Sequence, residues 1–94
     1  MDNYISLSSL AMDLKRTAIG YHRSSNDMAE RFYSEALRRK EEVDQKDLPP
    51  YLIDLLDEVE QLKEEGDDSQ KAEKSLTLST LFQNAAVAMT GDRK

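Results

Sequence analysis

The chain contains no cysteine, one histidine, two prolines and three glycines among its 94 residues. Without cysteine, disulfide bonds, thiolate chemistry and cysteine-ligated zinc or iron–sulfur sites are excluded. The single His22 cannot build a histidine-rich metal site, and we expect it to end a helix, where an imidazolium favours the negative pole of the dipole. The glycines form no phosphate-binding loop, and no G-x-S-x-G elbow is present. The sequence therefore predicts a non-catalytic protein with no catalytic, metal or cofactor site.

Long apolar runs are also missing from the chain. No window approaches 18 uninterrupted apolar residues, so we expect no membrane-spanning helix. The first residues lack the positively charged and then apolar stretches of a signal peptide. Together with the absence of cysteine, these observations predict a cytoplasmic protein that has no contact with a membrane.

Charge is plentiful, and it is divided unevenly along the chain. Residues 1–46 hold eight basic and eight acidic side chains, whereas residues 47–94 hold five basic and eleven acidic ones and carry the whole net charge of −6. Nucleic-acid binding needs clustered positive charge without an acidic counterweight, so nucleic acid is disfavoured as the main partner. The division favours a charged protein-docking face or an internal pairing of charges.

Apolar residues recur at helical spacing in four segments, and none alternates as a strand would. The segments cover residues 6–22, 25–43, 50–65 and 69–89, and we expect residues 90–94 to be a frayed tail. The prolines at 49 and 50 and the glycine at 66 separate the later segments. Short connections favour antiparallel neighbours, so the sequence predicts a single all-α domain, an antiparallel four-helix bundle. Its predicted core contains Leu10, Leu14, Phe32, Leu52, Leu55, Val59 and Phe82.

We expect the carboxylates of the third segment to form a solvent-exposed helix face. Helical di-iron sites need inward carboxylates with a Glu-x-x-His motif, which this chain lacks, and no calcium-loop spacing occurs either.

Two surfaces are candidates for binding a partner. Arginine and tyrosine supply interface energy at low entropic cost, so the second segment predicts a protein-binding patch made of Arg31, Tyr33, Arg38 and Arg39. The alternative is that these bases form an internal clamp onto Asp54, Asp57 and Glu58. The first and last segments each have a second apolar stripe, which predicts a homodimer interface. That interface would use some combination of Ile5, Met12, Ile19, Leu78 and Leu81. The alternative is that the two stripes serve a helix that is buried centrally within one chain.

Three stretches of the first half carry a resemblance to a known group of proteins. They are residues 9–16 (SLAMDLKR), 20–23 (GYHR) and 28–33 (MAERFY). In them the chain resembles small uncharacterised all-helical proteins of cyanobacteria over its first 45 residues or so. The resemblance implies a cytoplasmic bacterial protein and no particular activity.

Three classes of function are compatible with these patterns. The first is a non-catalytic protein-interaction or regulatory module with a protein partner. The second is an enzyme accessory subunit or small-ligand carrier that uses the bundle interior, which predicts an apolar cavity with a few polar groups. The third is a nucleic-acid binder, which predicts strongly salt-dependent binding through Arg31, Arg38, Arg39 and Lys40.

Overall fold

A computed structural model describes residues 3–91, apart from the side chains of residues 47, 90 and 91. These residues form four α-helices: α1 (Asn3–His22), α2 (Asn26–Glu42), α3 (Pro50–Gln61) and α4 (Asp68–Gly91). Two short 3₁₀ turns, Gln45–Asp47 and Leu62–Glu64, precede and follow α3. The predicted all-α bundle is confirmed. Residues 90 and 91 continue α4 instead of fraying, and residues 92–94 of the predicted tail lie outside the described part.

α1 ends in a tight C-terminal motif that turns the chain directly into α2. The backbone N–H of Ser25 donates to the carbonyl of Gly20 at 2.8 Å, and that of Ser24 donates to Tyr21 at 3.1 Å. This pattern is a Schellman motif, which places its closing residue in the left-handed region. Ser24 occupies that position with φ of 58°. The short turn makes α1 and α2 antiparallel neighbours.

α1 lies at the centre of the bundle, in close backbone contact with both α2 and α4. Small residues allow this closeness on both sides. Gly20 lies against the backbone of Ala29 in α2. On the other side, the buried Ser79 of α4 donates its hydroxyl hydrogen to the carbonyl of Ala11 at 2.7 Å. α1 therefore has two antiparallel partners and few directions left to solvent.

α3 covers the remaining side of the core and contacts its neighbours through side chains. Pro50 occupies its first turn, where the missing N–H has no cost. Leu52, Leu56 and Val59 point inward and are almost fully buried. Polar contacts fix the C-terminal end of α3: Lys40 of α2 bonds to Glu60 at 2.9 Å, and Lys74 of α4 bonds to Glu58.

Five of the seven predicted core residues are buried: Leu10, Leu14, Leu52, Val59 and Phe82. The other two predictions need correction, because Leu55 and Phe32 are only partly buried. Leu55 packs at the margin of the core. The Phe32 ring instead lies beneath the guanidinium groups of Arg16 and Arg31, 5.5 and 5.6 Å from its centroid. A cation over an aromatic face is favourable at an accessible site, so Phe32 stabilises the surface between α1 and α2.

Among residues 3–91, no helix combines the length and the apolar character that crossing a bilayer requires.

Candidate protein-interaction surface

Tyr33 does not belong to an accessible patch. Its side chain is buried, with 8% of the residue exposed, and its hydroxyl donates to the carbonyl of Val59 at 2.7 Å. Burial raises the pKa of the Tyr33 hydroxyl. The prediction that Tyr33 binds a partner is therefore wrong in this structure: the residue links α2 to the backbone of α3. A tyrosine on an amphipathic helix can satisfy its hydroxyl inside the protein as well as in water, and the sequence does not distinguish the two.

The bases around Tyr33 are dispersed, and each has its own contact. Arg38 pairs with Glu35 one turn away, and Arg31 lies over the Phe32 ring. Lys40 is buried and bonded to Glu60, and this hydrogen bond lowers the pKa of the Glu60 carboxyl. The predicted basic patch is thus not one continuous surface.

The alternative of a clamp by these arginines onto α3 is wrong: among the described residues, none of Arg31, Arg38 and Arg39 pairs with an acid of α3. Arg39 lies 3.7 Å from Asp13 of α1 and 3.4 Å from Glu42. Of the three acids proposed for the clamp, Glu58 pairs with Lys74 of α4, while Asp54 and Asp57 make no ion pair with another described residue. Arginine therefore ties α2 to α1, and lysine supplies the two pairs that reach α3.

Asp13 is an unusual carboxyl because it is buried at the α1–α2 contact. Burial raises its pKa above the ordinary value of 3.8, and the nearby Arg39 guanidinium opposes that rise only in part. Asp13 Oδ2 and Arg39 Nε are both buried without a hydrogen-bond partner among the described residues. At 3.7 Å, Arg39 Nε and Asp13 Oδ2 are too far apart for a hydrogen bond, so the pair stabilises the fold less than a hydrogen-bonded ion pair would.

The predicted apolar stripe of α1 does reach solvent. Ile5 and Met12 are about half exposed, and Ile19 is partly exposed. They recur every seven residues, so each lies about 20° around the helix from the next, and Ile5 and Ile19 are about 40° apart. The three residues form one apolar line along the outer side of α1.

The predicted contribution of α4 needs correction. Leu78 is 1% exposed and lies in the core, so it cannot contact a second chain in this arrangement. Leu81 is 40% exposed, but it points about 140° away from Leu76, which faces the same side as the α1 stripe. Val87 lies eleven residues after Leu76 and therefore shares its side of α4. The residues that sequence analysis missed are Leu76 and Val87, both more than half exposed.

A groove of about 470 Å³ runs between the second half of α1 and the beginning of α4. Its floor is formed by Ala18 and Ala72, and its apolar sides by Ile19 and Leu76. A second groove of about 300 Å³ continues it toward Met12 and shares Leu76 with it. The remaining residues that line the two grooves are Ala11, Lys15, His22, Arg23, Ser69, Glu73, Ser79, Thr80, Gln83 and Asn84.

We call this surface the α1–α4 face, and define it by the residues that helical geometry turns outward around the grooves. They are Ile5, Met12, Lys15 and Ile19 of α1 and Arg23 just after it, with Glu73, Leu76, Thr80, Gln83 and Val87 of α4.

Charge on the α1–α4 face is separated between its two helices. Lys15 and Arg23 lie on the α1 side, with the exposed His22 beside them, whereas Glu73 lies on the α4 side. None of these four side chains forms an ion pair with another described residue. The bases of the face, Lys15 and Arg23, therefore lie on its α1 side, which we call its basic edge, and Glu73 lies on its α4 side, which we call its acidic edge.

Within the described part of the chain, no three His, Asp or Glu side chains converge closely enough to hold a metal ion. Comparison with protein-family models, with curated proteins and with solved structures returns no match.

Proposed function

We propose that this chain is a non-catalytic protein-interaction module that forms a homodimer through the α1–α4 face. One observation carries the proposal: apolar side chains at least partly open to solvent lie on one side of two adjacent helices. On α1 they are Ile5, Met12 and Ile19, and on α4 they are Leu76 and Val87. Contiguous apolar patches on a soluble protein mark interaction sites more often than scattered single residues do.

The size of the face supports a second copy as its occupant. The 20 residues of α1 span about 30 Å, and two neighbouring helices are about 20 Å across, so the face covers roughly 600 Å² in projection. A stable interface buries about 800 Å² of accessible surface per partner, and the accessible area of a ridged helical face exceeds its projection. Burying this face twice would also stabilise a domain of only 94 residues.

A matched pair of substitutions on α4 tests the proposal. We expect light scattering to give twice the mass of the 10.7 kDa chain for the wild type at high concentration. Leu76→Glu should give monomers, because it places a charge in the middle of the buried face. Leu81→Glu introduces the same charge about 140° around α4, at the far side of a shallow groove that Leu81 shares with Leu76, and should weaken the dimer far less. A wild type that stays monomeric, or equal effects of the two substitutions, would contradict the proposal.

The other two classes of function receive less support from the geometry. The apolar groove lies open at the surface, whereas a carrier that encloses its ligand needs a site burying most of that ligand. The arginines of α2 are dispersed among acidic partners, which weakens the case for phosphate binding. A cytoplasmic location and a relation to small helical proteins of cyanobacteria remain part of the proposal, and both rest on the sequence alone.

A further inference from the structure

The charged edges of the α1–α4 face indicate how a second copy would be oriented, an inference that rests on the proposed homodimer. Two arrangements pack the face against itself by a two-fold axis. In one, the axis runs parallel to the helices, and each α1 packs on α4 of the other copy. In the other, the axis lies in the plane of the interface and is perpendicular to the helices, so each end of the face meets the opposite end of the second copy.

The parallel axis keeps matching levels of the two copies together. The grooves show that residues 15–23, at the end of α1, lie level with residues 69–76 of α4, and that Met12 lies level with Thr80 and Gln83. Rotation about a parallel axis preserves these levels. It therefore brings Leu76 of one copy to the stretch between Met12 and Ile19 of the other, and Ile5 toward Val87. All four helices then have antiparallel neighbours, as in an up-and-down bundle.

The same rotation brings opposite charges together. The basic edge of one copy, Lys15 and Arg23, lies over the acidic edge of the other, Glu73. The perpendicular axis instead moves this basic edge to the far end of the face, away from Glu73 of the second copy. Electrostatic complementarity fixes the register of an interface more than it adds affinity, so the charges select the parallel axis.

We propose that two copies form an antiparallel four-helix core with a two-fold axis parallel to α1, in which Lys15 and Arg23 of each copy face Glu73 of the other. The proposal predicts that the charges act between chains. If the same residues acted only within one chain, charges on a second chain would not affect them, so the two explanations can be distinguished.

Charge reversal in two separate chains tests this arrangement. One variant carries Lys15→Glu with Arg23→Glu, and the other carries Glu73→Lys. Alone, each variant places like charges opposite each other at two symmetric places, and we expect self-association to weaken by about tenfold or more. Mixed together, the variants restore opposite charges at both places, so a heterodimer of wild-type affinity should form. Native mass spectrometry distinguishes it from either homodimer by mass.

All three substituted residues are exposed, so the folded monomer is expected to persist, and circular dichroism of each variant verifies this. Neutral variants, Lys15→Gln and Glu73→Gln, provide a second measurement, and they should weaken the dimer less than the reversals. If Leu76→Glu abolishes the dimer but the mixed reversals fail to recover it, this orientation is wrong and the proposed homodimer stands. If the wild type is monomeric at every concentration, the homodimer and its orientation are both wrong.

Discussion

Gly20 lies where α1 crosses α2, and the crossing leaves no space for a side chain. A Cβ atom at this position would lie 2.6 Å from the backbone nitrogen of Ala29 and 2.8 Å from its Cα. Real Cβ atoms do not approach backbone atoms so closely, so one helix would have to move. The glycine therefore sets the distance between α1 and α2, although it weakens the helix in which it lies.

We predict that Gly20→Ala lowers the free energy of unfolding by about 1–2 kcal/mol. Alanine gains about 1 kcal/mol in helix propensity, and the forced separation of two packed helices costs more than this gain. Urea denaturation measures the difference. Gly66→Ala is the comparison: its Cβ would displace only the Gln70 side-chain oxygen, which accepts from the Asp67 N–H, so any loss there comes from that hydrogen bond and not from separated helices. An equal or more stable Gly20→Ala variant would show that the helices adjust freely.

Asp13 provides a second prediction at the scale of one residue. Its pKa is raised in the folded protein because burial disfavours the charged form. The folded state therefore holds the Asp13 proton more tightly than the unfolded state. The stabilisation from the protonated carboxyl is complete below about pH 3.8 and is lost as the pH rises through the folded pKa.

Asp13→Asn should remove the loss of stability that occurs as the pH rises, because asparagine does not ionise. We expect the variant to have about the stability of the wild type near pH 3.5 and to become relatively more stable toward pH 7, by up to about 1 kcal/mol. Urea denaturation of both proteins across this range gives the difference directly, and other carboxyls cancel in it. A variant that instead loses relative stability with rising pH would show that the ion pair with Arg39 outweighs the cost of burial.

At the scale of the helices, α4 begins with a reciprocal pair of hydrogen bonds. The backbone N–H of Gln70 donates to the Asp67 carboxylate at 2.9 Å, and the N–H of Asp67 donates to the Gln70 side-chain carbonyl at 3.0 Å. This is the capping box, which satisfies two backbone donors that a helix start leaves free. It fixes the first residue of α4 after the turn at Gly66.

We predict that Asp67→Ala lowers the free energy of unfolding by about 1 kcal/mol, the usual cost of losing an N-cap. Asp68→Ala is the matched control: it removes the same charge one residue later, where the side chain accepts no hydrogen bond from a described residue. Asp68→Ala should cost less, because it loses only the interaction of the carboxylate with the helix dipole. Thermal or urea denaturation compares the two variants, and equal losses would assign the effect to charge instead of capping.

The number and order of the helices could be predicted, but the orientation of α4 could not. Prolines, glycines and regular apolar spacing define four helical segments in the sequence. In α4, however, apolar residues occur around much of the helix, so spacing alone allows several buried sides. The structure buries Leu78 and Phe82 against α1 and leaves Leu76 exposed. That choice depends on the neighbouring helix, which periodicity within α4 cannot reveal.

The candidate site could be predicted only in part, for a similar reason. The α1 stripe of Ile5, Met12 and Ile19 was identified because its spacing is regular and lies opposite a clear core stripe. The patch of α2 was selected by residue type, and residue type does not show whether a side chain turns inward. Tyr33 points to the backbone of α3, and Arg39 points to Asp13, so both serve the packing of the fold.

At the scale of the whole molecule, the bundle is organised around α1. It has close backbone contacts with α2 and α4, and its residues Leu7, Leu10 and Leu14 have no exposed surface. α3 has only 12 residues and contacts its neighbours mainly through side chains. Breaking the hydrogen bonds of α1 therefore requires loss of both helix contacts, whereas α3 can separate while α1, α2 and α4 remain together.

We predict that native-state hydrogen exchange is slowest in the middle of α1, around Leu10 and Leu14, and faster in α3. The amides of α1 should exchange only on global unfolding, so their exchange should give the same free energy as urea denaturation. The Leu76→Glu variant separates this property from self-association, because its α1 loses the proposed dimer contact and keeps both helices of its own chain. Protection of α3 equal to that of α1 would mean that the four helices unfold as one unit.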